Sequence, residues 1–177
     1  LRLTGAGIVA KVSPDTFVYL HKGAKCKGGV QKIALIPKTA AEWCEFYGVD
    51  VKRGIATLYK AVDADFSTDR ARSKNISYAP GETPEAPDWD GGKNECGNGL
   101  HFSPFPGAAL KFNNGAHFVA CPVKLSEIVV HPDGDYPEKV KAPRVYKPCY
   151  EVNIRGERIQ PVDPAASPEA QWNAHNG

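Results

Sequence analysis

The chain has 177 residues, 42% of them hydrophobic and 24% charged, with a formal net charge of +2. This is the make-up of one domain with a real core, and no apolar run approaches the ~18 residues of a membrane-spanning helix, which excludes helical membrane spans. Five cysteines, none in a C-x-x-C pair, argue against a disulfide framework and for a reducing, cytoplasmic setting.

In chain order, Gly7–Val12 and Thr16–Leu20 read as short strands around the turn Ser13-Pro14-Asp15, and Val30–Ile36 as a third, separated from them by a Gly/Lys loop over 21–29. Thr39–Gly48 is the clearest helix: Thr39 caps it, Glu42 completes a capping box and Gly48 ends it. Ile55–Val62 is a strong strand whose alternation puts Lys60 on the same face as Ala56, Leu58 and Val62. The long segment 63–98 is poor in aliphatics; Ile76–Tyr78 reads as a brief strand, and the Pro- and acid-rich stretch 80–90 as a lid or a solvated flap, the flap being the preferred reading. Gly99–Phe102 returns as a strand, with Ser103 as cap and Pro104 as first residue of a helix to Phe112. His117–Val123, Glu127–His131, Lys139–Val145 and Cys149–Ile154 follow as extended segments. The expected architecture is α+β, a twisted, mostly antiparallel sheet with two short helices. It forms a single domain over 1–154, with an N-terminal part to residue 54, a core motif region over 55–154 and a polar tail over 155–177.

The stretch Cys96-Gly97-Asn98-Gly99-Leu100-His101-Phe102-Ser103 has the composition of a site-forming loop. Period-two alternation puts His101 and Ser103 on one side and Leu100 and Phe102 on the other, and the helix mouth behind them favours a phosphate or carboxylate. Lys60, on an apolar strand face, is either a snorkelling stem or an ammonium aimed into a cleft. Cys96 and His101 with His117 or Cys121 lack the spacing of a zinc site, so no metal is expected. No phosphate-loop, dinucleotide-loop or nucleophile-elbow motif is present. Residues 1–60 are basic and the remainder acidic; the basic cluster reads as a solvated face or as a surface for an acidic or phosphate-bearing partner, nucleic acid not excluded.

Leu58-Tyr59-Lys60-Ala61, Tyr78-Ala79-Pro80-Gly81 and Glu95-Cys96-Gly97-Asn98-Gly99-Leu100-His101-Phe102 together resemble an uncharacterised bacterial and phage domain family, over roughly residues 56–153. The chain also resembles, more weakly, the ADP-ribosyltransferase fold, through Lys60, Ser103, Ala108-Ala109 with Phe112, and Glu151. Lys stands where that family has Arg or His, and there is no Ser-Thr-Ser run or Glu-x-Glu pair. The resemblance implies NAD as cofactor, with Lys60 on its phosphate and Ser103 ordering the neighbouring strand. Glu151 would stabilise the oxocarbenium-like charge that builds as nicotinamide leaves, with His101 beside it as a second catalytic group, and the acceptor would be a macromolecule. The other expectation is a non-catalytic binding module or phage-associated accessory domain.

Overall fold

A computed structural model of the chain describes residues 1–21, 23–33, 37–68 and 76–160. Their contacts divide into two units, Leu1–Pro37 and Lys38–Gly177, where the sequence reading has one domain over 1–154. The first unit holds five short strands: β1 (Arg2–Thr4), β2 (Val9–Lys11), β3 (Phe17–His21), β4 (Lys25–Lys27) and β5 (Val30–Ile33). They form two parallel sheets, β1-β3-β5 and β2-β4. Parallel neighbours need a crossover, and here the crossover of each sheet is a strand of the other, so the chain winds in coils like those of a β-helix. Strand β4 corrects the expected loop over 21–29. Its Lys-Cys-Lys sequence carries no alternating apolar signal and is held by pairing with β2, Ala10 opposite Cys26. Gly28 and Gly29 turn the chain at positive φ, where a Cβ would strike the carbonyl oxygens of Val12 and Thr16 at 2.5 and 2.6 Å. Residues 34–36 of the expected third strand lie outside the described residues.

The second unit opens with α1 (Ala40–Tyr47). Thr39 Oγ1 accepts from the Glu42 backbone N–H, the Glu42 carboxylate accepts from Thr39 N–H and Lys38 N–H, and Gly48 at φ 67° closes the helix. Its Trp43 is buried and donates Nε1–H to the Pro137 carbonyl at 2.9 Å. The chain continues through β6 (Val51–Lys52), β7 (Ile55–Val62), β8 (Leu100–Phe102), α2 (Pro106–Ala109), β9 (His117–Lys124), β10 (Val129–Val130), β11 (Val140–Ala142) and β12 (Tyr150–Val152). Two antiparallel sheets result, β12-β9-β7-β6 and β10-β11-β8. The α+β class with two short helices and mostly antiparallel pairing is therefore the architecture of this unit.

The sheets are joined at Ser103, whose N–H and C=O both bond Tyr59, at 2.9 Å each. This bridge corrects the expected helix start. The helix α2 begins only at Pro106, with Phe105 in the cap position, so Ser103 lies two residues too early to cap it, and the helix is four residues long. It is too short to present the dipole that the reading of a helix mouth requires. Leu58 and Val62 of β7, Val119 and Cys121 of β9, Leu100 and Phe102 of β8, Val140, Tyr78 and Trp43 form one core.

The expected solvated flap is also corrected. Residues 81–86 run antiparallel to 143–149, through Gly81 N–H to Cys149 O, Cys149 N–H to Glu82 O, Val145 N–H to Pro84 O and Ala86 N–H to Pro143 O. The prolines leave some N–H positions empty but do not stop their own carbonyls from accepting. At the other end, residues 155–160 are not a free tail: the chain turns at Asn153–Gly156, and Ile159 N–H bonds Glu151 O. The remaining expected tail, 161–177, lies outside the described residues.

Candidate functional site

Alternation in the β10-β11-β8 sheet separates two chemistries. Val130, Val140, Ala142, Leu100 and Phe102 share the core face, while the register aligns Lys141 with His101 on the other. Lys139 and His131, one residue beyond their strands, follow the same alternation. One sheet face is thus almost wholly basic, and the loop 93–97 lies across it. His131 Nδ1–H donates to Lys93 O at 3.1 Å, His101 Nε2–H to Glu95 O at 3.1 Å, and Lys139 Nζ to Cys96 Sγ at 3.4 Å. Lys141 is fully buried, with its Nζ 5.6 Å from the Trp89 ring centroid and no hydrogen-bond partner among the described residues. The Nε2 of His131 is left unpartnered in the same way.

Gly99 sets the angle at which the loop re-enters β8. Its φ is +117°, and a Cβ there would lie 2.7 Å from the Trp89 ring. Gly99→Ala is expected to lower the urea-unfolding stability by about 2–3 kcal/mol, because the backbone strain and the overpacking add. An unchanged midpoint would show that loop and ring move aside freely.

Lys60 reaches the same place from the other sheet. Its stem shares the core face with Leu58 and Val62, and its Nζ donates to His101 O at 2.7 Å. The ammonium lies 4.7 Å from the Tyr78 ring centroid and 5.6 Å from that of Phe102. Beneath it, Cys121 and Cys149 are both buried, with sulfurs 3.7 Å apart. Burial lowers the Lys60 pKa from 10.5 to about 8, against a smaller opposing pull from the two thiols. Burial also lowers His101, from 6.5 to about 4, helped by the positive charges of Lys60 and Lys139.

Two cavities, of about 430 and 220 Å³, share Lys60, His101 and Lys139 in their walls. The larger adds Ile76, Tyr78, Pro87, Asp88, Leu100 and the loop residues Cys96 to Gly99; the smaller adds Ser103. Neither Lys60, Lys139 nor Lys141 makes an ion pair among the described residues. The nearby Glu95 carboxylate is taken by the backbone N–H groups of Asp135 and Tyr136. Among the described residues no three His, Cys, Asp or Glu side chains gather as a metal site.

Of the residues expected from sequence, Lys60, His101 and Ser103 come together. Glu151 lines neither cavity. Its carboxylate accepts from His117 Nδ1–H at 2.6 Å, and Phe66 stacks on that imidazole. Lys139, Lys141 and Tyr78 are site residues that the sequence reading did not select. The signal for the lysines was the alternation Lys139-Val140-Lys141-Ala142, which places both on one face of a strand.

The His101 pKa fixes a pH dependence. Above about 6.5 the ring is neutral folded and unfolded; as pH falls towards 4 the unfolded chain takes the proton first, so stability is lost across that window. His101→Gln removes this slope. Between pH 7 and 4 the wild type is expected to lose about 1–2 kcal/mol more than the variant, a discount on the full shift for a partly exposed ring. Parallel urea-midpoint curves for the two proteins would contradict it.

No family model, curated protein or solved structure matches the chain. Among the described residues no helix is long and apolar enough to cross a membrane.

Proposed function

We propose that the cavity under the 93–99 loop binds a phosphate-bearing small molecule, with a nucleotide such as NAD or ADP-ribose as the leading candidate. One observation carries this reading: Lys60 and Lys139 line the cavity, Lys141 is buried beside its Gly97 wall, and none of the three is paired with a carboxylate among the described residues. Burying unpaired charge is costly, and an anionic ligand would offset that cost. The lowered Lys60 pKa of about 8 leaves the amine mostly protonated at neutral pH, so it can hold a phosphate oxygen. Ile76, Tyr78, Pro87 and Leu100 supply an apolar wall for a base or sugar, and the volume lies in the range of small-ligand sites. Asp88 is the one carboxylate in that wall among the described residues and would disfavour a phosphate placed beside it.

A second reading, ADP-ribosyl transfer, has one observation in its favour. The register Glu151–Val119–Lys60 puts the carboxylate on the same sheet face as Lys60, two strands away. The engagement of Glu151 by His117 favours binding without transfer. Thermal unfolding with millimolar ADP-ribose, NAD and phosphate-free adenosine tests the proposal. The two phosphate-bearing ligands are expected to raise the melting temperature and adenosine to leave it unchanged; no shift with any of them removes the reading. Glu151→Gln should keep the shift, and loss of any NAD turnover in that variant alone would favour transfer.

A further inference from the structure

We infer that Lys60 is a covalent site, an amine that condenses with an aldehyde or ketone entering the cavity. Its Nζ donates to a neutral acceptor, the His101 carbonyl, and among the described residues no carboxylate pairs with it to lock it as an ammonium. The Tyr78 and Phe102 rings flank it, and it stands in the walls of both cavities, so a ligand in either one meets it. Burial in this place favours the free base. Lys139 lines both cavities with it. The thiols of Cys121 and Cys149 below pull the other way, weakly. With a pKa of about 8, roughly 300-fold more free amine is present at neutral pH than for an ordinary lysine.

The step balances without an oxidant or reductant. The Lys60 ammonium releases one proton to solvent, and the nitrogen lone pair forms a bond to the carbonyl carbon as the π pair moves to oxygen. The carbinolamine then loses water to leave an imine. Lys139, in the wall of both cavities, stands to hold an anionic group on the same molecule. The inferred substrate class is therefore a phosphate-bearing carbonyl compound. That anion preference rests on the binding proposed above; the reactivity of Lys60 does not.

The test is reductive trapping. The protein is incubated with pyridoxal 5′-phosphate or with phosphate-free pyridoxal, reduced with borohydride, and mapped by peptide mass spectrometry. The phosphate-bearing probe is expected to label Lys60 at least tenfold faster than the exposed Lys93, Lys111 or Lys147, and faster than pyridoxal does. Equal labelling of Lys60 by both probes would sustain the reactive amine and count against the anion site. Labelling of Lys60 no faster than of the exposed lysines overturns the inference. Lys60→Arg should lose the adduct while its circular dichroism stays that of the wild type. If that variant does not fold, the site map of the unaltered protein still decides.

Discussion

Lys60→Met is expected to weaken a phosphate-bearing ligand about 10–100-fold while leaving the protein as stable as the wild type or more so. The two effects have separate causes. Binding loses a charge-assisted hydrogen bond, worth about 1.5–3 kcal/mol. Stability gains because the charged amine is disfavoured in the fold, as its pKa of about 8 records, and Met keeps the stem packed near Tyr78 and Phe102. Against this stands the His101 carbonyl, which loses its donor at a cost of about 1 kcal/mol. The sign with pH separates this account from simple repacking. The folded-state pKa lies below the unfolded value of 10.5, so wild-type stability should rise from pH 8 to 10.5 as the folded chain sheds the proton first. The Met variant lacks this contribution, and its advantage should shrink over the same window. An advantage independent of pH would mean that the Lys60 charge carries no penalty.

Trp43→Ala is expected to destabilise the second unit by about 3–5 kcal/mol. The indole is 1% exposed, touches the central core, and satisfies the Pro137 carbonyl through Nε1. Truncation leaves a cavity between α1 and the sheets and strips a carbonyl of its donor, two costs that the eight-residue helix cannot absorb by shifting. Trp43→Phe should recover most of the packing but not the hydrogen bond, and so fall between. Chemical denaturation followed by far-UV circular dichroism measures both. An alanine variant within 1 kcal/mol of wild type would place Trp43 outside the cooperative core.

The parts of this fold that were legible in the sequence are those set by near neighbours. The Thr39–Glu42 capping box and the Gly48 stop are contacts within one helix, so residue types at fixed spacing reveal them. The face that Lys60 shares with Leu58 and Val62 follows from alternation within one strand. What was not legible depends on partners distant in sequence. Ser103 has the chemistry of a cap, but its backbone is taken by Tyr59, 44 positions away. Segment 81–86 looks like a solvated flap until 143–149 pairs with it. Lys139 and Lys141 join the site only because β11 lies beside β8. Glu151 reads as a free carboxylate, yet the β9–β12 register brings His117 to it.

The glycine-rich stretch from Cys96 to Ser103 earned attention for its cysteine and histidine. In the fold its first residue joins the preceding loop as the clasp of a basic face: the carbonyls of Lys93 and Glu95 and the thiol of Cys96 accept from His131, His101 and Lys139. The cavity under it is the consequence. Isothermal titration of ADP-ribose into the wild type and into Lys60→Met/Lys139→Met measures whether that cavity takes a phosphate-bearing ligand. The account expects one site in the wild type and an affinity at least 100-fold lower in the folded double variant. No heat of binding to the wild type at millimolar ligand, or equal binding by both proteins, would contradict it.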